Sequence, residues 1–178
     1  GLPVPATLIT SDPDRARAFL DRPGGGAIIF KSLSSTHEVW RETRPVGREE
    51  RAGLDAVRHS PVVFQEYVAG VDVRATVVAD RVFAAAIHAG ATSYPYDFRM
   101  RLHEARVEAT TLPEEVTAAL LALTERLGLV YGAADLRRTD TGEHVFLEVN
   151  TAGEFLFVES RTGQPITAAV ADWLASPA

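Results

Sequence analysis

The amino-acid sequence contains no cysteine among its 178 residues. This absence excludes disulfide scaffolds, thiol catalysis and cysteine-ligated zinc, and it suits a reducing compartment. Any metal ion must therefore be bound by oxygen atoms or by histidine. Long apolar runs are also missing, because no stretch approaches the roughly 20 residues of a membrane span, and no signal peptide opens the chain. We predict a cytoplasmic protein with no membrane partner.

Clusters of positive charge are equally absent. The 18 Lys and Arg residues are scattered, the formal net charge is −6 and the pI is about 5.4. Nucleic-acid-binding proteins concentrate their basic residues in a patch or stripe, so we predict no nucleic-acid partner. The 46% of hydrophobic residues is enough to bury the core of one domain or of two small lobes.

Residue patterns predict a mixture of strands and helices without regular βαβ alternation, which is typical of the α+β class. The predicted strands cover 7–10, 27–31, 39–44, 61–68, 71–79, 82–88, 131–138 and 144–149. The predicted helices run from Asp12-Pro13 to about Arg22 and over 48–58, 114–127 and 165–174. We interpret residues 1–178 as one composite core with a first lobe at 1–67, a second lobe at 68–178 and a hinge near 68–70.

Two of these elements have the clearest signals. The strands at 71–79 and 82–88 predict an antiparallel hairpin with its turn at Asp80-Arg81. In the helix at 114–127, a capping box of Thr111 and Glu114 precedes the first turn, and Gly128 ends the last one. Its apolar residues recur at helical spacing, at Val116, Leu120, Leu123 and Leu127.

The sharpest group of polar residues is Asp135 on one predicted strand with Glu148 and Asn150 on the next. Glu148 and Asn150 are two residues apart, so both side chains project from one face of a strand. An antiparallel neighbour can bring Asp135 beside them, which gives the hard oxygen ligands that Mg²⁺ prefers. The alternative is an ordinary polar surface on a hairpin. The apolar residues between them and the permissive turn at 151–153 favour a metal site.

Two further segments carry candidate nucleotide contacts. Lys31 ends an apolar strand and precedes the hydroxyl-rich run 32–36, whose backbone N–H groups could surround phosphate oxygens. The segment 65–74 joins an apolar strand to Gly70 and then to Asp72 and Arg74. Backbone groups at such a connection can hold a purine, while Asp72 can reach a ribose hydroxyl and Arg74 a phosphate.

Three segments, in this order, resemble the ATP-grasp ligase superfamily. Phe30-Lys31 looks like the family's phosphate-binding Lys strand, 65–74 looks like its adenine hinge, and 146–150 resembles its Glu-x-Asn metal motif. Finer features are similar to the peptide-maturing branch, the microviridin-type or graspetide synthetases: Asp97-Phe98-Arg99, Leu112-Pro113, 131–136 and 153–166. RimK-type glutamate ligases share the general motifs.

The resemblance implies an ATP-grasp fold in which two α+β lobes hold the nucleotide between them. The implied cofactors are ATP and Mg²⁺, and the implied metal ligands are Asp135, Glu148 and Asn150. The other implied site residues are Lys31, Gln65, Glu66, Tyr67, Val68 and Asp72 as nucleotide contacts, and Arg74 and Arg99 as catalytic residues. Arg99 has two interpretations, since it could hold an acidic substrate or pair with Asp97 on the surface.

By the same resemblance, a substrate carboxylate takes the γ-phosphate of ATP, and a hydroxyl or amine then displaces phosphate from the acyl phosphate. Graspetide synthetases activate Asp or Glu side chains of a precursor peptide, so the implied partner is such a peptide and the implied product is an ester or amide crosslink. One alternative is a RimK-like ligase that adds an amino acid to a carboxylate. Another is a non-catalytic module that binds nucleotide or peptide. A homodimer is a further possibility.

Two departures from the family pattern are visible. Thr151 stands where family members commonly have Pro after the Glu-x-Asn motif. The family also places an α/β domain and another nucleotide-contacting Lys before the point that corresponds to Gly1. We therefore expect this chain to be a fragment of a longer enzyme, and to bind ATP poorly or to be inactive by itself.

Overall fold

A computed structural model describes residues 1–33 and 42–176. The chain divides into two compact units, one formed by Pro5–Val68 and the other by Gly1–Val4 with Ala69–Ala178. Each unit combines helices with an antiparallel sheet. The predicted α+β class is therefore confirmed.

The first unit is a four-stranded sheet with two short helices. Its elements are β1 (Thr7–Thr10), α1 (Pro13–Leu20), β2 (Ile28–Ser32), β3 (Arg44–Pro45), α2 (Arg48–Ala52), a 3-10 helix (Leu54–His59) and β4 (Val62–Glu66). The strand order is β1-β4-β2-β3. α1 begins as predicted, because the Asp12 side chain accepts a hydrogen bond of 2.8 Å from the Asp14 backbone N–H and Pro13 occupies the first helical position.

The core of the first unit lies between α1, the 3-10 helix and the sheet. Ala16 and Leu20 of α1 pack with Leu54, Val57 and Phe64. The single helix predicted at 48–58 is wrong, because α2 ends before Gly53 and the chain continues as a 3-10 helix. In the strand predicted at 39–44, residues 39–41 lie outside the described residues.

The second unit is a five-stranded sheet with helices on both faces. Its elements are β5 (Val71–Val78), β6 (Arg81–His88), 3-10 helices at Ala89–Ala91 and Phe98–Arg101, β7 (Arg106–Thr110), α3 (Glu114–Arg126), β8 (Tyr131–Arg138), β9 (His144–Asn150), α4 (Leu156–Thr162) and α5 (Ile166–Ala175). The strand order is β7-β6-β5-β8-β9, and every neighbouring pair is antiparallel.

The two faces of this sheet have different coverings. On one face, α3 packs against a cluster that includes Val73, Leu136 and Phe146. On the other face, α4, α5 and the connection between β6 and β7 pack against apolar residues such as Ala85 and Ile87. This second face also carries the polar side chains of the candidate site.

Some predicted details of the second unit are wrong. Val78 pairs with Arg81, so the hairpin turn is Ala79-Asp80, with Ala79 in the left-handed region at φ 52°. The predicted capping box is also wrong, because Pro113 precedes α3 and no side chain caps the helix. Leu127 lies after the end of α3 and is 54% exposed. β7 and α4 were not predicted, since both are short and interrupted by charged residues.

Among the residues that the structure describes, no helix has the length and apolar character needed to cross a membrane.

Glycine is required at position 70 because the backbone of Arg138 lies too close to leave room for a side chain. Its φ is +149°, and a Cβ atom at this position would lie 2.2 Å from the carbonyl oxygen of Arg138. We predict that Gly70→Ala lowers the free energy of unfolding by about 2 kcal/mol or more, because both strain and overlap must be relieved. Gly90→Ala is the matched control, since its Cβ would have no atom within 4 Å. Urea unfolding of both variants tests this, and equal stabilities would contradict it.

Candidate functional site

The three oxygen-bearing side chains predicted as metal ligands lie on two neighbouring strands. Asp135 is on β8, and Glu148 and Asn150 are on β9. Asp135 pairs directly with Glu148, and Ala133 pairs with Asn150. Because directly opposed residues of antiparallel strands project from the same face, Asp135 and Glu148 are neighbours. Asn150, two residues beyond Glu148, shares that face.

A bulge in β9 maintains this arrangement. Asp135 pairs with Glu148, but the adjacent Leu136 pairs with Phe146, so β9 has an additional residue between the two pairs. Phe146 and Val149 consequently both pack on the face covered by α3. Simple alternation would have placed Phe146 beside Glu148. The bulge therefore keeps Phe146 packed against the core and leaves the polar face to the oxygen donors.

Arg74 is the principal partner of Asp135. It lies on β5 directly opposite Asp135, and its Nε and Nη2 atoms donate to the two carboxylate oxygens at 2.6 and 3.3 Å. The Arg74 guanidinium carbon is 5.7 Å from the ring centre of Phe98 and 5.8 Å from that of Phe157. Its side chain is only 8% exposed. This bidentate pair between two aromatic rings fixes the orientation of Asp135.

The oxygen donors fit a divalent cation such as Mg²⁺. Burial raises the pKa of Asp135; Arg74 opposes this shift, and the Glu148 charge adds to it. A cation between the two carboxylates would relieve that repulsion. A carboxylate oxygen that accepts one N–H keeps further acceptor capacity, and the Asn150 Oδ1 atom is oriented by a 2.9 Å hydrogen bond from the Ala152 N–H. In 1–33 and 42–176, no three His, Cys, Asp or Glu residues form a metal-binding group, so the Asn150 amide is needed to complete a set of three.

The turn after Asn150 is closely packed. A Cβ atom on Gly153 would lie 2.5 Å from the Ala133 Cβ atom and 3.4 Å from the Arg74 Nη1 atom. The Tyr131 hydroxyl donates to the Gly153 carbonyl oxygen. These contacts hold the turn in place, although Thr151 occupies the position at which ATP-grasp ligases commonly have Pro.

A second acid–base pair lies beside the first on the same strands. Asp72 of β5 is opposite Arg137 of β8, and the Arg137 Nε atom is 3.0 Å from the Asp72 Oδ1 atom. The Arg137 Nη1 and Nη2 atoms donate to the carbonyl oxygens of Gly70 at 2.9 Å and Pro95 at 3.4 Å. Arg137 was not singled out from the sequence. Its position two residues after Asp135, on the same face of the same strand, was the available signal.

Asp72 is buried in an unusual electrostatic environment. Its Oδ2 atom is buried and has no hydrogen-bond partner among the residues that the structure describes. Burial raises the pKa of Asp72 to about 7, while Arg137 opposes the shift and the Asp135 charge adds to it. The structure therefore places Asp72, predicted as a ribose contact, in a buried pair with Arg137.

Arg99 pairs with Asp97, which is one of its two interpretations from the sequence. Its Nε and Nη2 atoms donate to the Asp97 carboxylate at 2.8 and 2.7 Å. The Asp97 side chain is 3% exposed and that of Arg99 is 46% exposed. The Asp97 hydrogen bond raises the pKa of Arg99, and the charges of Glu148 and Asp135 contribute to the same shift. Arg99 is thus held by a buried acid within range of the candidate metal ligands.

In the first unit, the predicted nucleotide contacts lie on or just after two paired strands. Glu66, at the end of β4, accepts a 2.9 Å hydrogen bond from Arg22, whose guanidinium lies 4.2 Å from the ring centre of Phe19. Arg22 was not identified from the sequence, because 44 positions separate it from Glu66. The Glu66 carboxylate is consequently neutralised by a cation of its own unit.

The other predicted contacts of this unit have defined surroundings. Gln65 is buried, and its Nε2 atom donates to the Thr7 hydroxyl at 3.0 Å. The Tyr67 backbone N–H donates to the Ala27 carbonyl at 2.7 Å, and Val68 follows directly in the chain. Lys31 lies on β2 opposite Val63. Residues 34–36 of the hydroxyl-rich run lie outside the described residues.

The pH dependence of stability tests the environment of Asp72. Its pKa is about 7 when folded, against an ordinary value of 3.8, so between these pH values the folded state binds more protons than the unfolded state. This contribution to stability therefore decreases as pH rises and is constant above about pH 7. Asp72→Asn lacks this titrating group, so its stability does not share this decrease. We predict that the difference in unfolding free energy, Asp72→Asn minus wild type, increases from about pH 4 to about pH 7.

Urea unfolding at a series of pH values measures this difference. Asp55→Asn is the control with the opposite sign, because hydrogen bonding to Arg17 lowers the pKa of Asp55, and its difference should decrease as pH rises through the acid range. If the difference for Asp72→Asn instead decreases as pH rises, the attraction of Arg137 lowers the pKa of Asp72 by more than burial raises it, and the prediction is contradicted.

Comparisons with known proteins identify relatives over nearly the whole chain. A family described as the RimK-like ATP-grasp domain matches residues 1–174. A probable alpha-L-glutamate ligase of Aliivibrio salmonicida is 30% identical over 184 residues, which cover 98% of this chain and 58% of that protein. The chain thus spans little more than half the length of this curated relative.

Solved structures show the same similarity. The macrocyclase MdnC from Microcystis aeruginosa MRC, bound with precursor peptide MdnA, has a TM-score of 0.84 and 31% identity over 99% of this chain and 57% of that one. The ATP-grasp ligase PsnB, complexed with minimal precursor, Mg and ADP, has a TM-score of 0.79 and 28% identity over 98% of this chain and 53% of that one. The predicted ATP-grasp fold is therefore confirmed, and the chain belongs to the RimK-like ATP-grasp domain family.

Proposed function

We propose that the protein containing this chain is an ATP-dependent ligase that activates a carboxylate as an acyl phosphate, releases ADP and joins the acyl group to a nucleophile. The observation that carries this proposal is the shared face of Asp135, Glu148 and Asn150, with Arg74 bound to Asp135. The similar ligase PsnB is complexed with Mg and ADP, which supports ATP and Mg²⁺ as the cofactors. An enzyme of this kind is proposed to act in the cytoplasm.

Asp135, Glu148 and Asn150 are the proposed Mg²⁺ ligands. When bound, Mg²⁺ would neutralise phosphate charge that otherwise repels an incoming carboxylate. Arg74 is the proposed contact of the transferred phosphate. A guanidinium has five N–H donors, and three of those of Arg74 are directed at Asp135 and at the Glu154 carbonyl. Counted over residues 1–33 and 42–176, two donors therefore remain for phosphate oxygens, and Asp135 fixes the plane in which they lie.

Arg99 is the proposed contact of the substrate carboxylate. Its exposed guanidinium is fixed by the buried Asp97 and lies within range of the Glu148 charge. A cation at this position attracts an acidic side chain toward the proposed metal ligands. The proposed nucleotide contacts remain those predicted from the sequence: Lys31, Gln65, Glu66, Tyr67, Val68 and Asp72.

For the substrate, we propose a ribosomally made precursor peptide in which side-chain carboxylates are joined to hydroxyl or amine groups as esters or amides. The similar macrocyclase MdnC is bound with a precursor peptide, which supports a peptide partner. The second candidate is addition of glutamate to a carboxylate, supported by the probable alpha-L-glutamate ligase of Aliivibrio salmonicida at 30% identity. Both candidates use the same activation step and differ in the nucleophile.

The metal ligands provide the first test of the activation step. We predict that Glu148→Gln and Asn150→Ala, in the intact protein, each reduce substrate-dependent ADP release by roughly 100-fold or more, because they weaken charge neutralisation worth several kcal/mol. Glu125→Gln, an exposed carboxylate of α3, is the control and should retain activity. ADP release at the wild-type rate in either ligand variant would contradict the metal site.

The mass of the product separates the two substrate classes. The protein is incubated with MgATP and either a synthetic peptide containing Asp, Glu, Ser, Thr and Lys, or a Glu-terminated peptide with free L-glutamate. We predict that the mass of the first peptide falls by that of one water for each crosslink formed, because the activated carboxyl group loses an oxygen atom to the released phosphate and the two joined side chains together lose two hydrogen atoms. A gain of glutamate residues by the second peptide, without water loss in the first, would favour glutamate addition.

A further inference from the structure

The connection between β6 and β7 carries Asp97, Phe98 and Arg99 across the polar face of the second sheet. Surface connections of this kind are usually more mobile than the elements that they join. Here the 3-10 helix Phe98–Arg101 is attached at its start and after its end. Both attachments come from α4.

The attachment at the start is aromatic. The ring centres of Phe98 and Phe157 are 6.3 Å apart, and both rings belong to a buried cluster that includes Ile87 and Ala105. The same two rings flank the guanidinium of Arg74. Movement of Phe98 would therefore also disturb the pair between Arg74 and Asp135.

The second attachment is made by Arg161, which lies four residues after Phe157 and so on the same side of α4. The Arg161 Nη1 atom donates to the carbonyl oxygen of Leu102 at 2.7 Å and to that of Ala105 at 3.2 Å. These carbonyls belong to residues 102–105, which follow the 3-10 helix, and the segment 97–105 that they close is called the turn below. Because both hydrogen bonds are to backbone carbonyls, Arg161 can hold the shape of this turn independently of the side chains that the turn carries.

Arg99 lies between the two attachments. We infer that Arg161 is a positioning residue: it fixes the end of the turn, which follows the 3-10 helix carrying Arg99, and thereby holds the Arg99 guanidinium in its pair with the buried Asp97 carboxylate. The inference rests on the proposed function of Arg99 as the contact of the substrate carboxylate. Within the described part of the chain, the hydrogen bonds of Arg161 are made to Leu102 and Ala105 and not to Arg99 or to the proposed metal ligands.

The chemistry of the contact predicts which replacements work. Both hydrogen bonds of Arg161 come from a single nitrogen atom. A lysine ammonium also presents several donors on one nitrogen, so Arg161→Lys should restore the attachment in part. Arg161→Met keeps much of the aliphatic side chain but has no donor, so it should release the turn. The matched control is Arg81→Met, which removes an exposed arginine paired with Asp172 in the same unit.

Hydrogen exchange measures the attachment without any substrate. The backbone N–H groups of Met100, Glu104 and Ala105 donate to carbonyl oxygens within this turn. We predict that they exchange roughly 10-fold faster in Arg161→Met, which is the effect expected from losing about one hydrogen bond. Arg161→Lys should lie between Arg161→Met and the wild type, and Arg81→Met should match the wild type. Equal exchange in Arg161→Met and Arg81→Met would overturn the inference.

A kinetic assay tests whether the attachment by Arg161 acts through Arg99. It measures ADP release from MgATP in the presence of the synthetic peptide that contains Asp, Glu, Ser, Thr and Lys. If the attachment acts through Arg99, Arg99→Gln and Arg161→Met both raise the KM for the peptide, and the double variant is no worse than Arg99→Gln alone. Losses that add in the double variant, or a peptide KM in Arg161→Met equal to that of the wild type, would contradict the inference alone. An Arg99→Gln variant with unchanged kinetics would contradict the proposed function of Arg99, and this inference with it.

Discussion

The bidentate pair between Arg74 and Asp135 is the interaction on which the candidate site depends. Both side chains are largely removed from water, and an isolated charge in such a place is strongly unfavourable. Each group therefore requires the other, and the geometry of one determines that of its partner. Glu148 lies directly opposite Asp135 on the next strand, so a second carboxylate projects from the same face of the sheet beside the fixed one. The two carboxylates repel each other, and a divalent cation bound between them would remove this repulsion.

The surroundings of this pair form a connected set of acids and bases on one face of the sheet. Asp72 and Arg137 occupy the same two strands as Arg74 and Asp135, with acid and base in reversed positions. Arg137 also binds backbone carbonyls at Gly70 and Pro95. The arginines thus neutralise buried carboxylates and at the same time attach connecting segments to the sheet. Transfer of a phosphoryl group requires a protein to provide charges that are already in position, as these are.

Much of the second sheet could be predicted from the sequence because its signals are local. The strand periodicity around Asp135 and Glu148, the hairpin of β5 and β6, and the periodic apolar residues of α3 are all read within a few positions. The predicted capping box was wrong because Pro113 precedes the helix and provides no side-chain cap, and the bulge that keeps Phe146 packed against the core has no local signature. Arg137, Arg161 and Arg22 could not be assigned, because partners such as Gly70, Leu102 and Glu66 lie 67, 59 and 44 positions away. Such contacts become visible only when the strands and helices are assembled.

The most direct measurement is the position of the cation itself. Crystals of the intact protein with a non-hydrolysable ATP analogue and Mn²⁺ in place of Mg²⁺ would locate the ion by its anomalous scattering. An anomalous peak within coordination distance of oxygen atoms from Asp135, Glu148 and Asn150, next to the terminal phosphates, is the predicted result. A well-ordered nucleotide whose ion lies away from all three side chains would contradict the proposed site.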